Sequence, residues 1–191
     1  MENAKNIKPT GKSTVRNILE WVVVIVIAFA LSWLIRTFVI EPRYVPSGSM
    51  LPTIQLQDRL IVDKFFFKYF GELHPGDIIV FHPPSEAHAS DDFIKRLIAL
   101  PGDTVGIRNH QTYINGQAID EPYLAEPQIK TMEPVVVPEG YVFVMGDNRN
   151  DSKDSREWGF LPMDSITGRT LFRYWPLEHF GVKVQGYVVN V

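Results

Sequence analysis

One long apolar run near the N-terminus stands out from the rest of the chain. From Trp21 to Ile35 it contains no charged residue, and Ser32 is its only polar residue. An α-helix rises about 1.5 Å per residue, so roughly 20 residues cross the hydrocarbon layer of a membrane. We therefore predict a transmembrane anchor at residues 18–40, with Glu20 and Arg36 near the two interfaces.

A buried core helix and a cleavable signal peptide are the alternatives for this run. A signal peptide needs a shorter apolar run and then a small-x-small site, which the sequence WLIRTFVIEP does not offer. The basic residues that precede the run are Lys5, Lys8, Lys12 and Arg16. Because positive charge favours the cytoplasmic side, residues 1–17 are predicted to be a cytoplasmic N-terminus and residues 41–191 an extracytoplasmic domain.

Beyond the apolar run, short stretches rich in Val, Ile, Phe and Tyr alternate with turn residues. This pattern predicts a mainly β domain of antiparallel strands. We expect Glu41-Pro42 to end the anchor helix, because proline cannot continue the helical hydrogen bonding. Strands are predicted at residues 59–64, 77–82, 93–100, 104–108, 112–114, 117–119, 135–137 and 141–145, with two or more between residues 166 and 191.

A small β-hairpin insertion is predicted within this domain at about residues 106–138. The pair Asn115-Gly116 separates two short predicted strands and is typical of a two-residue hairpin turn. Residues 120–138 are rich in proline and charge. We therefore expect the insertion to be a peripheral flap rather than part of the core.

Composition narrows the possible chemistry. The chain has no cysteine, which excludes disulfides, thiolate metal sites and a cysteine nucleophile. Its 45% hydrophobic and 21% charged residues are typical of one globular domain with a short appendage. Apart from the N-terminal basic cluster the chain is acidic in balance, so we predict no nucleic-acid partner.

The sequence PSGSMLPT at residues 46–53 is the first of four stretches with candidate chemistry. Glycine between two serines lets the backbone turn tightly and exposes hydroxyls and amides together, as a nucleophile beside an oxyanion hole requires. Taken alone, such a loop is most often a plain turn. The stretch GDIIVF at residues 76–81 is interpreted as scaffold, since it is a turn leading into an apolar strand.

The stretch DFIKRLIALPGD at residues 92–103 contains a lysine within an apolar strand. Strand alternation places Phe93, Lys95, Leu97 and Ala99 on one face. Burial among apolar groups lowers the pKa of an amine, which makes lysine a usable base near neutral pH. The alternative is a lysine whose amine reaches solvent at the strand edge.

The stretch GDNRNDSKDSREWG at residues 146–159 follows a predicted buried strand, a common position for functional side chains. It does not fit an EF-hand loop, because Arg149 and Ser152 occupy its third and sixth positions. A turn held by Asp–Arg pairs is the alternative. The chain has no HExxH sequence and no histidine in a recognisable triad motif, so we predict no metal site.

Together the four stretches resemble the bacterial type I signal peptidases (leader peptidases), the Ser–Lys protease family of protein export. PSGSMLPT is similar to the serine box of this family, GDIIVF to a structural box, FIKRLIALPGD to the lysine box and GDNRNDSKDSREWG to the last box. The boxes occur in family order behind an N-terminal anchor, over about residues 17–175. Two departures are Ala99, where many members have glycine, and the absence of the cysteine pair of some Gram-negative relatives.

The resemblance implies a role for each matching residue. Ser49 would be the nucleophile and Lys95 the general base. The hydroxyl of Ser47 and the amide of Ser49 would form the oxyanion hole, and Ser152 would orient the lysine amine. The residues expected to brace the site or the nucleophile loop are Asp147, Arg149, Asp154, Arg156 and Met50. No metal or cofactor is expected.

The resemblance also implies a function. It predicts a membrane-bound serine endopeptidase that cleaves N-terminal signal peptides from exported preproteins after Ala-x-Ala sites, through an acyl-enzyme. Expected partners are preprotein signal peptides, the lipid bilayer and a nearby export translocon. The expected location is the plasma (inner) membrane, or the thylakoid membrane in a photosynthetic organism.

Two other classes of protein share parts of this pattern. The self-cleaving repressor proteases also use serine and lysine, but they are soluble and have a DNA-binding domain where this chain has an apolar run. A catalytically silent, membrane-anchored homologue that acts as a scaffold is the second alternative. Such relatives usually lose the serine or the lysine, and both are present here.

Overall fold

The computed structural model describes residues 12–65, 69, 72–89, 91–181 and 188–189. The chain divides into two compact units, the first ending at Phe38 and the second beginning at Val39. The first unit contains helix α1 (Lys12–Phe38), whose segment Thr14–Phe38 is long and apolar enough to cross a membrane. The helix ends before Glu41-Pro42, which we had expected to terminate it and which instead lie in the first strand.

The second unit is a mainly antiparallel β structure, as the sequence predicts. Its described strands are β1 (Ile40–Tyr44), β2 (Arg59–Asp63), β3 (Ile78–Phe81), β4 (Phe93–Ala99), β5 (Thr104–Arg108), β6 (Gln111–Ile114), β7 (Gln117–Asp120), β8 (Met132–Val136), β9 (Tyr141–Met145), β10 (Leu161–Pro162), β11 (Ile166–Trp175) and β12 (Val188–Val189). A seven-stranded sheet has the order β1-β2-β11-β3-β4-β9-β10, and a five-stranded sheet the order β12-β7-β6-β5-β8. A short helix α2 (Ser155–Trp158) follows β9.

Two strands, β1 and β10, were not predicted. Each contains a proline, Pro42 in β1 and Pro162 in β10. Proline within an apolar run argues against a strand because it lacks the N–H that a ladder needs. Both strands lie at edges of the seven-stranded sheet, where one side of the strand needs no donor.

Strand β4 follows the predicted alternation until its last residues. Phe93 and Leu97 pack in one apolar cluster with residues of β3 and β9, as expected for one face. The pairing of β4 with β9 shifts register between Leu97 and Ala99. Because such a bulge adds a residue to one strand, Ala99 packs with Ile98 in a different cluster.

The five-stranded sheet is not a peripheral flap, so that expectation was wrong. Its inward residues share one buried cluster with Phe143 and Met145 of β9. The buried residues that the second sheet contributes are Val105, Ile107, Ile114 and Ile119. The predicted hairpin turn is present, with φ angles of 53° at Asn115 and 83° at Gly116 between β6 and β7. The apolar alternation of the short strands is therefore the better predictor of whether this region belongs to the core, and the polar composition of residues 120–138 was misleading.

A buried ion pair joins the loop before β2 to strand β11. Arg173 donates to the Asp58 carboxylate, and the exposed fractions of the two residues are 6% and 1%. Asp58 also accepts from the Gln55 amide at 2.8 Å, and Arg173 donates through Nε to the His179 carbonyl at 3.0 Å. This pair fixes the chain just after the PSGSMLPT stretch.

We predict that Arg173→Leu lowers the free energy of unfolding by about 3–5 kcal/mol, because the Asp58 carboxylate stays buried without its partner. The measurement is urea or thermal denaturation of the detergent-solubilised full chain. Arg169→Leu is the matched control, since Arg169 is partly exposed and 3.6 Å from Asp77. Its loss should cost about 1 kcal/mol or less. Equal losses in the two variants would contradict the role of the buried pair.

Candidate active site

The PSGSMLPT stretch forms a turn anchored by apolar residues at both ends. Met50 is buried, and its carbonyl accepts from the Ile54 amide at 2.9 Å. The Leu51 amide donates to the Gly48 carbonyl at 3.1 Å, which closes the turn. The apolar cluster beneath this loop contains Val45, Met50, Ile54, Leu60 and Ile78. Anchoring of the apolar residues leaves the polar side chains of the loop facing a cleft.

Strand β4 brings Lys95 to the serine of this loop. The Lys95 Nζ lies 2.5 Å from the Ser49 Oγ, and the Ser47 Oγ lies 3.4 Å from the same oxygen. Lys95 is 4% exposed, and its amine lies 5.2 Å from the centre of the Phe93 ring. An amine in hydrogen-bond contact with a serine hydroxyl can exchange a proton with it directly.

Burial lowers the pKa of Lys95 to about 8. The negative charges of Asp154 and Asp147 act in the opposite direction and raise this pKa, while the positive charge of Arg156 lowers it. Desolvation is the largest of these effects because the low-dielectric surroundings disfavour the ammonium form. The amine is therefore neutral at a pH where an exposed lysine is still protonated.

Asp147 connects the PSGSMLPT loop to strand β4. Its carboxylate accepts from Nε and Nη2 of Arg96 at 2.8 and 2.6 Å, and both side chains are fully buried. It also accepts from the Thr53 hydroxyl at 2.5 Å. Asp147 lies in the loop that follows β9. Its carboxylate therefore holds both strand β4, through Arg96, and the PSGSMLPT loop, through Thr53.

Asn148 holds the backbone of the PSGSMLPT loop. Its amide N–H donates to the Ser49 carbonyl at 3.0 Å, and its side-chain nitrogen donates to the Gly48 carbonyl at 3.1 Å. Neither Asn148 nor Thr53 was predicted as a site residue. Both lie inside stretches that the sequence analysis singled out, but the type and spacing of these residues gave no reason to choose them.

Asp154 and Arg156 form a second buried pair beneath the cleft. The Asp154 carboxylate accepts from Arg156 Nε and Nη2 at 2.8 and 2.7 Å and from the Gly146 amide at 2.9 Å. It also caps α2 by accepting from the Arg156 amide at 3.2 Å. Burial raises the pKa of Asp154, but the hydrogen bonds and charge of Arg156 outweigh it, so the net pKa is lowered.

Ser152 lines the same cleft as Lys95. Its hydroxyl approaches Asp154 closely enough to lower the pKa of that carboxyl, but it makes no well-directed hydrogen bond with the residues that the structure describes. Its side chain packs directly on Gly146, where any Cβ would collide with Ser152 and with the Ser49 carbonyl. The orientation of the lysine amine by Ser152 stays a prediction.

Arg149 makes its main contacts with the second sheet. Its guanidinium donates to both carboxylate oxygens of Glu121, at 2.5 and 3.0 Å, and to the Thr112 hydroxyl at 3.0 Å. Nε donates to the Gly146 carbonyl at 3.1 Å. Glu121 lies in the proline-rich segment that the sequence analysis assigned to a flap, and nothing in that composition indicated a site contact.

An open cleft of about 500 Å³ is lined by Ser49 and Lys95. Its lining combines apolar and charged residues, and the charged ones besides Lys95 are Asp91, Asp92, Asp151 and Lys153. The lining residues without a polar side chain include Val45, Pro46, Gly48, Phe93 and Ile94. Among the described residues, no group of three or more His, Cys, Asp or Glu side chains could hold a metal ion.

Comparison with known proteins identifies relatives across most of the chain. The family model of signal peptidase, peptidase S26, matches residues 18–175. A probable signal peptidase I-1 of Synechocystis sp. is 48% identical over 86% of each chain. The thylakoidal processing peptidase 1 of Arabidopsis thaliana is 41% identical over 78% of this chain and 46% of its own. A signal peptidase I structure from Enterococcus faecalis V583 is 35% identical, with a TM-score of 0.47 over 52% of this chain and 97% of that one. From the family match and the Synechocystis relative, the chain belongs to the peptidase S26 family of signal peptidases.

Proposed function

We propose that this protein is a membrane-anchored serine endopeptidase that removes signal peptides from exported preproteins with Ser49 as nucleophile and Lys95 as general base. The observation that carries the proposal is the 2.5 Å contact between the Ser49 Oγ and a buried Lys95 amine whose pKa is about 8. The names of the relatives, signal peptidase I and thylakoidal processing peptidase, support the same substrate class.

The reaction begins with proton transfer. Neutral Lys95 accepts the hydroxyl proton as the Ser49 oxygen attacks the scissile carbonyl, and a tetrahedral oxyanion forms. Lys95 then returns the proton to the departing amine, which leaves an acyl-enzyme on Ser49. A water molecule, deprotonated by the same amine, hydrolyses the ester and releases the signal peptide.

The oxyanion would be stabilised by the Ser47 hydroxyl and the Ser49 amide. Donors fixed before the reaction stabilise developing charge without reorganisation, which makes them effective. Asn148 supports this arrangement because it holds the carbonyls of Gly48 and Ser49. The residues proposed to brace the site are Met50, Asp147, Arg149, Asp154 and Arg156, with Ser152 orienting the amine.

The proposed cleavage site has small residues one and three positions before the cut, as in Ala-x-Ala. An extended substrate presents alternate side chains to the same wall of a cleft. The apolar lining residues Val45, Phe93 and Ile94 suit short apolar side chains.

The proposed topology places residues 1–17 in the cytoplasm, the anchor at residues 18–40, and the catalytic domain at residues 41–191 outside it. The N-terminal basic cluster supports this orientation. The plasma (inner) membrane is the proposed location, near the export translocon. The thylakoidal name of one relative supports a thylakoid location as the alternative.

Substitutions in the proposed Ser49–Lys95 dyad should abolish processing. Ser49→Ala and Lys95→Ala each remove one member of a chemical unit, so each should eliminate nearly all cleavage and the double variant should be little worse. Lys95→Arg should be equally inactive, because a guanidinium stays protonated and cannot accept the serine proton. The measurement is cleavage of a preprotein by detergent-solubilised protein, with N-terminal sequencing of the product and a check of folding. Substantial activity in Lys95→Arg would mean that another residue is the base.

Activity should rise with pH to a plateau with a midpoint near pH 8, the pKa that burial gives Lys95. Below the midpoint the amine is protonated and cannot act as a base, so kcat/KM should fall about tenfold per pH unit. The measurement is kcat/KM for a signal-peptide substrate from pH 6 to 10, with thermal melting at each pH as the control. A profile that is flat over this range would contradict the role of Lys95.

Bulky side chains before the cut should block processing. Replacing the alanine immediately before the cut by phenylalanine should abolish cleavage, whereas the same change two residues before the cut should be tolerated, because that side chain faces away from the wall. Paired peptides that differ at one position provide the measurement. Equal cleavage of all peptides would contradict the small-x-small specificity but would still be consistent with a Ser–Lys protease.

A further inference from the structure

The segment of residues 121–131 between β7 and β8, here called the strap, is bound to the loop that follows β9. Glu121 accepts from Arg149, as described above. Asn150 accepts from the Ile129 amide at 3.0 Å and donates to the Glu126 carboxylate at 2.8 Å. The second sheet is therefore tied to the segment that contains Asp147 and Ser152.

Tyr123 is the strap residue that reaches the ion pair behind the dyad. Its ring centre lies 3.8 Å from the Arg96 Cζ, so the ring covers a face of the guanidinium. Arg96 meanwhile donates to Asp147 and, through Nη1, to the Gly76 carbonyl at 2.8 Å. The Tyr123 hydroxyl donates to the Glu121 carboxylate at 2.7 Å, which fixes the ring. Burial raises the pKa of Tyr123, so the hydroxyl remains a neutral donor.

The charge of Asp147 acts on Lys95. It raises the pKa of Lys95 and so opposes the effect of burial. Arg96 neutralises this carboxylate in a site with no solvent exposure on either partner. If the Tyr123 ring were absent, water could reach the pair, the lysine environment would be less desolvated, and Arg96 could leave Asp147. Each of these changes favours the ammonium form of Lys95.

We propose that Tyr123 is a positioning residue of the Ser49–Lys95 dyad, which acts by covering the Arg96–Asp147 ion pair. Glu121 and Arg149 hold the ring in place, so the second sheet contributes to the chemistry of a site on the first. This inference rests on the proposed function of Ser49 and Lys95. It assigns to the strap a role that is separate from substrate binding.

The test compares two pH-dependent measurements on the full chain in detergent. The first is kcat/KM for a signal-peptide substrate from pH 6 to 10. The second is the rate at which acetic anhydride acetylates Lys95, measured by peptide mass spectrometry, which reports the neutral amine whether or not the protein is active. In Tyr123→Ala we expect both midpoints to rise by about one pH unit. The value of kcat/KM at pH 7 should then fall roughly tenfold, with the plateau at high pH retained.

Two variants make the comparison specific. Tyr123→Phe keeps a flat ring next to Arg96 but loses the hydroxyl contacts with Glu121 and Arg149, so its midpoints should lie between those of the parent and those of Tyr123→Ala. Tyr113→Ala is the matched control, because it removes a ring stacked at 4.2 Å on a different arginine, Arg108. It should leave both midpoints unchanged. If thermal melting shows that Tyr123→Ala is unfolded, Tyr123→Leu retains apolar bulk without a flat ring and should shift the midpoints in the same direction by about half a unit.

The outcomes separate this inference from the proposed function. Parental midpoints in both measurements for folded Tyr123→Ala, or for Tyr123→Leu where alanine unfolds the protein, overturn the role of Tyr123. An equal shift in Tyr113→Ala also overturns it, since the effect would then be unspecific. If the parent protein does not cleave the signal-peptide substrate, the proposed function is overturned. A higher acetylation midpoint of Lys95 in Tyr123→Ala would in that case still support the effect of Tyr123 on the lysine.

Discussion

The ion pair between Arg96 and Asp147 has both side chains fully buried, and it joins segments that are distant in sequence. Arg96 directly follows Lys95 on β4, and Asp147 directly precedes Asn148, which holds the backbone at Ser49. Removal of either partner would leave an uncompensated buried charge, which is strongly unfavourable. The relative position of Ser49 and Lys95 therefore depends on a contact that involves neither of them.

Two opposing effects act on the pKa of Lys95. Desolvation lowers it and outweighs the nearby negative charges, which raise it. Two carboxylates, Asp147 and Asp154, raise the pKa of Lys95, yet burial brings it down to about 8. Each carboxylate is paired with an arginine by two hydrogen bonds, so little of its charge remains to attract the ammonium. The buried pairs thus permit a dense set of charges beneath the cleft without keeping the lysine protonated.

The sequence determined the class of the fold and the bounds of several strands, because apolar alternation and turn residues are local signals. Strands β5 and β9 begin and end at the predicted residues. The pattern of apolar and turn residues predicted the wrong structure where the position of a segment in the tertiary fold decided its conformation. Pro42 and Pro162 are tolerated because their strands are sheet edges. The second sheet is part of the core because its short strands bury one face against β9, which composition over residues 120–138 could not indicate.

At the site, the sequence by itself determined the family resemblance and therefore the candidates Ser49 and Lys95, because these lie in contiguous motifs. It did not determine which polar groups pair. Arg149 binds Glu121, and Tyr123 covers Arg96. The residues of each pair are more than 25 positions apart in sequence, so no local sequence pattern relates them. Only the tertiary structure brought the strap onto the loop that follows β9, because hydrogen bonds and ring contacts of this kind depend on distances between strands of different sheets. The motifs supplied the chemical groups, and burial in the folded domain, which no local pattern measures, lowered the pKa of Lys95.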